Sequence, residues 1–237
     1  MKRAIGRIFL AILVFMAIFG GALAEEYVVT DAQTVRRDAV ELLRECAFSS
    51  EYEWGDGERS RLIRWEAPLN VYVGGEPGED DMEFLTQFFT QLQLRVPMFP
   101  TIAFTEDESA ANVRYYFVPL DDMGEYVSNY TEGNWGYVSF WWNGDFELYD
   151  IEIAIATDVT AQPDRNHLMM EEFINGSGIS NDHYAYSDSI TYQPWTACQT
   201  PSELDFAMLN LIYSDFARAG MTEEEFCGAC YEYIEGR

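Results

Sequence analysis

Apolar positions along the chain fall into two alternating patterns. A period of three to four residues predicts helices over residues 31–48, 80–94, 164–177, 202–217 and 222–234. In the first, Val35, Ala39, Leu42, Leu43 and Cys46 share one face, and Asp31 stands where a cap belongs. In the last, Thr222 and Glu225 have capping-box spacing. A period of two predicts strands over residues 63–73, 101–104, 112–118, 137–142 and 148–156. Ile151, Ile153 and Ile155 mark the buried face of the last strand. Polar, glycine-punctuated residues 51–60 read as a loop, and Gly74-Gly75-Glu76-Pro77-Gly78 ends the first strand. The order predicts an α+β domain with a mixed sheet followed by a small helical lobe.

The N-terminus breaks this pattern. Lys2, Arg3 and Arg7 precede an apolar run from Ile8 to Phe19, and Ala22-Leu23-Ala24 forms a small-residue cleavage site. The run is too short for a stable membrane span. Residues 1–24 are therefore expected to be a signal peptide cleaved after Ala24. Residues 25–237 would form a single secreted or extracytoplasmic domain with no membrane span. Within it, residues 61–160 would carry the sheet and residues 161–237 the motif helix and helical lobe.

Charge narrows the partners. The chain holds 41 acidic and 14 basic residues. Removing the signal leaves 11 basic residues, all arginine, and a net charge of −30. Such a chain is repelled by nucleic acid and by anionic membranes. The acidic surface keeps an exported protein soluble, or serves cation binding or a basic partner. At 48% hydrophobic residues the chain still has enough apolar surface for a core.

Cys46, Cys198, Cys227 and Cys230 remain after cleavage. Export permits disulfides, and structural crosslinks tying Cys46 and Cys198 to the C-terminal helix are the expectation. Cys227 and Cys230 have redox-motif spacing, but no strand precedes their helix, which argues against a thioredoxin-like role.

The segment Glu171-Glu172-Phe173-Ile174-Asn175-Gly176-Ser177-Gly178-Ile179-Ser180-Asn181 resembles the metzincin pattern H-E-x-x-H-x-x-G-x-x-H in spacing. Glu172 falls on the general-base position and Gly178 on the bend. The zinc-ligand positions read Glu171, Asn175 and Asn181. Asp188-Ser189-Ile190-Thr191-Tyr192 resembles the turn beneath the metal, with Thr191 where methionine usually stands. Leu204 to Tyr213 resembles the C-terminal helix of matrixin-like proteases. The Glu171-Glu172 pair, Gly178, Asn181-Asp182 and Gly220-Met221 are similar to features of a family of exported bacterial proteins of unknown function. The resemblance implies a zincin-like fold and brings no established activity.

Chemistry follows from the ligand positions. Zinc prefers imidazole and thiolate, and one carboxylate with two amides makes a poor site. No cofactor is the first expectation; zinc, or calcium on oxygen ligands, is the alternative. His167 and His183 are the only imidazoles. With Asp182 they are the candidates for an unusual metal set, against the plainer reading of packing residues. Asn175 and Asn181 can instead donate to a buried Glu171 carboxylate in a metal-free polar cluster. Trp135, Tyr137, Trp141 and Trp142 lie in or beside an aromatic strand and are candidates for lining a cleft, or for core. The leading expectation is a pseudoprotease that binds a peptide, protein or envelope component. The alternative is a divergent metal-dependent peptidase with Glu172 as general base.

Overall fold

A computed structural model describes residues 32–48, 61–196 and 198–236. The signal-peptide reading, the Asp31 cap and the loop at residues 51–60 lie outside these. The described residues belong to one compact unit.

Helix α1 (Ala32–Cys46) comes first and buries Ala39, Val40, Leu42, Leu43 and Cys46. Strands β1 (Arg64–Trp65) and β2 (Leu69–Gly75) follow. They replace the single strand expected at residues 63–73. Pro68 lacks an N–H to donate, and the two pieces serve different neighbours. β1 pairs with the start of β6, while β2 lies between β3 and β4.

Helix α2 (Glu79–Arg95) leads to β3 (Ile102–Phe104) and β4 (Val113–Val118). Strands β5 (Gly136–Trp142) and β6 (Glu147–Ala156) form a hairpin before helix α3 (Gln162–Asn175). Helices α4 (Glu203–Ile212) and α5 (Glu223–Glu235) close the chain. Two short 3-10 turns, Glu108–Ala110 and Leu120–Glu125, were not visible in the hydrophobic pattern.

The sheet runs β3–β2–β4–β6 in parallel, and β5 lies antiparallel on the other side of β6. Alternation divides its faces. Val113, Tyr115, Phe117, Ile151, Ile153 and Ile155 join the main core with the helices. Tyr116, Val118, Ala154 and Ala156 pack beneath Met123 and Val127, so the second 3-10 turn covers the opposite face. Burial on both faces suits a mostly parallel sheet.

Helix α1 packs against α4 and α5, so the helical lobe draws on both ends of the chain. Helix α4 stops at Ile212, short of the expected residue 217. Buried Arg64 explains the stop, because its Nη1 donates to the carbonyls of Ile212 at 2.6 Å and Ala217 at 3.0 Å. The layout is the expected α+β one: a mixed sheet with an antiparallel edge strand, a motif helix beside it, and a small helical lobe.

The expected crosslinks are a correction, because all four cysteines are free thiols. Cys46 and Cys230 are fully buried, and loss of solvent pushes both up to about 12. Cys198 belongs to another neighbourhood. Its thiol faces the Asp188 carbonyl at 3.5 Å, and its own carbonyl holds His167.

Candidate functional site

Helix α3 carries the motif across the sheet next to β5. Its C-terminal end needs partners for the last carbonyls. Trp65 Nε1 donates to Gly176 O at 3.1 Å, and the Tyr213 hydroxyl donates to Ser177 O at 2.8 Å. Gly178 then turns the chain at φ +103°, and a Cβ there would lie 2.4 Å from Ile63 O. Only glycine meets both conditions. The turned segment is tied to α1, since Asn181 N–H donates to Cys46 O at 3.0 Å and Asn181 Nδ2 to Glu45 O at 3.3 Å.

This turn brings Asn181 and Asp182 to the same cleft as Glu171, Glu172 and Asn175. The cleft measures about 1260 Å³, and β5 forms one wall. Its lining includes three carboxylates and no lysine or arginine. Trp135, Tyr137, Trp141 and Trp142 all line it. Trp142 also packs on the core, and a register shift between Trp141 and Trp142 breaks the simple alternation. Trp195, which the sequence reading missed, lines the cleft at 54% exposure and meets Trp135 edge to face at 6.3 Å.

Glu172 is 9% exposed and lines the cleft. Its side chain fits because residue 136 is glycine: a Cβ there would lie 2.7 Å from Glu172 Oε1. Among the described residues its carboxyl makes no hydrogen bond or ion pair. Burial, then Glu171 and Asp182, hold it well above the usual carboxylate range. Burial, then Asp182, push Glu171 up to about 8. Adjacent helix residues diverge by about 100°, yet both acids reach this one cleft.

His167 is buried, and burial holds it below its usual range. Its Nδ1–H donates to Cys198 O at 3.1 Å, so Nε2 carries the lone pair, 3.5 Å from Glu171 Oε2. The contact therefore sets the imidazole lone pair against an acid that burial raises above the usual carboxylate range. His183 is not among the cleft residues. Its Nδ1 accepts from Ala185 N–H at 3.1 Å and its Nε2–H donates to Ser189 Oγ at 3.1 Å, so neither nitrogen is left for a metal.

The Ser189–Thr191 turn is fully buried. Asp205, also missed from the sequence, holds it. Its carboxylate accepts from Ser189 Oγ at 2.5 Å, Ile190 N at 3.0 Å and Ser202 N at 2.6 Å. One side chain thus caps α4 and fixes the turn. Tyr192 and His183 form an isolated parallel bridge beside it.

The motif positions lack the imidazole and thiolate ligands that zinc prefers. The three motif positions offer one carboxylate and two amides, Glu171, Asn175 and Asn181. Among the described residues, no group of three or more His, Cys, Asp or Glu side chains is arranged to hold a metal ion.

The strand edge offers something else. Ala156 N donates to Trp135 O at 2.8 Å, which sets the alternation of the β5–β6 ladder. Residues 137 and 139 then bond to β6, while Gly136 and Val138 direct N–H and C=O away from it. Among the described residues no strand pairs with the other edge of β5. An antiparallel edge strand beside a cleft is a surface that an extended chain can join.

These features can be set beside known proteins. The chain matches the family described as Protein of unknown function (DUF2927) over residues 40–229, and it belongs to that family. Among solved structures it is similar to one described as "Crystal structure of myroilysin", with a TM-score of 0.41 and 10% identity. That match covers 72% of this chain and 95% of the other. No curated protein matches the chain in sequence.

Proposed function

We propose that this chain is an exported protein that binds an extended peptide segment in its cleft without cleaving it. The observation that carries this reading is the open edge of β5 at Gly136 and Val138, facing a cleft of peptide-sized volume. Backbone pairing along such an edge supplies affinity, and side-chain pockets supply selectivity. The aromatic wall of Trp135, Tyr137 and Trp141 supplies contact area. The same spacing that would hold a catalytic ion carries amides here, which is why the reading omits hydrolysis.

The experiment incubates the purified protein with a mixed peptide pool and follows both tryptophan fluorescence and peptide masses. Saturable fluorescence change with intact peptides, insensitive to chelator, is the expected result. Cleavage that a chelator abolishes and zinc restores overturns it.

A divergent peptidase is the second reading, and one observation favours it: Glu172 stands in the cleft beside the edge strand, where a general base would work. It requires an electrophile for which the motif positions are poorly suited. Hydrolysis that survives Glu172→Gln excludes it.

A further inference from the structure

We infer that the floor of the cleft recognises a basic side chain, with arginine preferred, on the bound peptide. The inference rests on the peptide-binding reading of the cleft and adds the chemistry that selects the ligand.

Acidic side chains and an unpartnered amide oxygen crowd the floor of the cleft. Glu171, Glu172 and Asp182 all line the cleft, and the lining contains no lysine or arginine to neutralise them. Glu172 is nine-tenths buried, makes no hydrogen bond or ion pair among the described residues, and faces the cleft across Gly136. Asn175 adds a side-chain oxygen, Oδ1, that is buried without a hydrogen-bond partner. Unpaired acceptors of this kind cost free energy until a donor reaches them. His167 does not serve, because its only proton-bearing nitrogen is committed to Cys198 O.

A guanidinium answers this arrangement. It carries five N–H donors and no acceptor, in a plane that matches carboxylates two at a time. Trp135 and Trp195, exposed by 41% and 54%, stand edge to face at the same cleft. Aromatic faces attract a passing cation and cover the alkyl part of its side chain. The chain's net charge of −27 draws basic ligands from a distance. A neutral side chain lacks the charge-dependent terms, and an acidic one is repelled. An entering cation also offsets the cost of burying charge that keeps Glu171 and Glu172 protonated.

The test uses two fluorescent peptides of one sequence, rich in valine, serine and threonine. One has arginine at its centre and the other has citrulline, the neutral isostere. The arginine peptide should bind about tenfold more tightly, the scale of one charge-assisted contact. In Glu172→Gln and in Glu171→Gln, each checked for folding by its thermal transition, that ratio should shrink toward one. Equal binding of the two peptides to the native protein overturns the cation inference and leaves the peptide reading standing. An unchanged ratio in both variants places recognition elsewhere and also overturns it. Binding of neither peptide overturns the peptide reading, and this inference with it.

Discussion

The Glu172 carboxyl occupies the space that any side chain at residue 136 would take. A Cβ on Gly136 would lie 2.7 Å from Glu172 Oε1 and 2.8 Å from Leu168 Cδ2. The edge strand and the motif helix are therefore fitted to one another at the point where the acid enters the cleft. Gly136→Ala should destabilise the protein by about 1–3 kcal/mol through overpacking. Urea denaturation measures the loss. In Gly136→Ala/Glu172→Ala the cost should fall well below the sum of the single changes, because the two sites share one volume.

The acids of the cleft predict how stability depends on pH. Burial, then Asp182, push Glu171 up from an ordinary value of 4.5 to about 8, and Glu172 is raised as well. A raised carboxyl pKa means that the native state holds protons the unfolded chain releases. Stability is then fully present below the unfolded value and is lost as pH rises through the folded one. The melting temperature should fall between about pH 5 and pH 8. Glu171→Gln/Glu172→Gln should flatten that slope. An equally steep slope in the double variant would show that the slope arises elsewhere in this acidic chain.

Asp205 joins the buried turn to α4 through two hydrogen bonds and caps its own helix through a third. Asp205→Ala should cost about 2–4 kcal/mol, because it leaves buried donors at Ser189 and Ile190 without an acceptor. Limited proteolysis should then cut between residues 183 and 193, where the native protein resists. Resistance equal to native would show that the turn is held by other contacts.

The element order was legible because most segments keep one period throughout. Ile151, Ile153 and Ile155 alternate without interruption, and the expected strand is the observed one to within a residue. The boundary at Glu66-Ala67-Pro68 was hidden because apolar residues continue on both sides of it. The early end of α4 depends on Arg64, which lies 148 residues away from Ile212 and gives no local signal. The motif helix and its glycine bend were readable from spacing, since four residues make a helical turn. Spacing does not say what else reaches the cleft. Trp195 arrives through a segment without periodic pattern. Asp205 did have a signal, as the acid three residues after Ser202 in a capping-box sequence. The disulfide expectation failed because cysteine positions in sequence carry no distances.

Four free thiols make a direct chemical prediction. Cys46 and Cys230 are fully buried and raised to about 12, so both stay protonated and shielded at neutral pH. Native protein should react slowly with a thiol reagent, and Cys198, the one cysteine that is only partly buried, should react first. In denaturant without reductant all four should react. Two or none would show that crosslinks form.

Hydrogen exchange at the edge of β5 tests the account most directly. The amides of Gly136 and Val138 point away from β6, whereas those of Tyr137 and Ser139 belong to the ladder. With saturating arginine peptide, the Val138 amide should become protected while Tyr137 and Ser139 change little. The same peptide N-methylated at alternate residues should lose that protection. Unchanged exchange at Val138 in a protein saturated with peptide would contradict the edge-strand mode, and peptide cut during the experiment would contradict binding without cleavage.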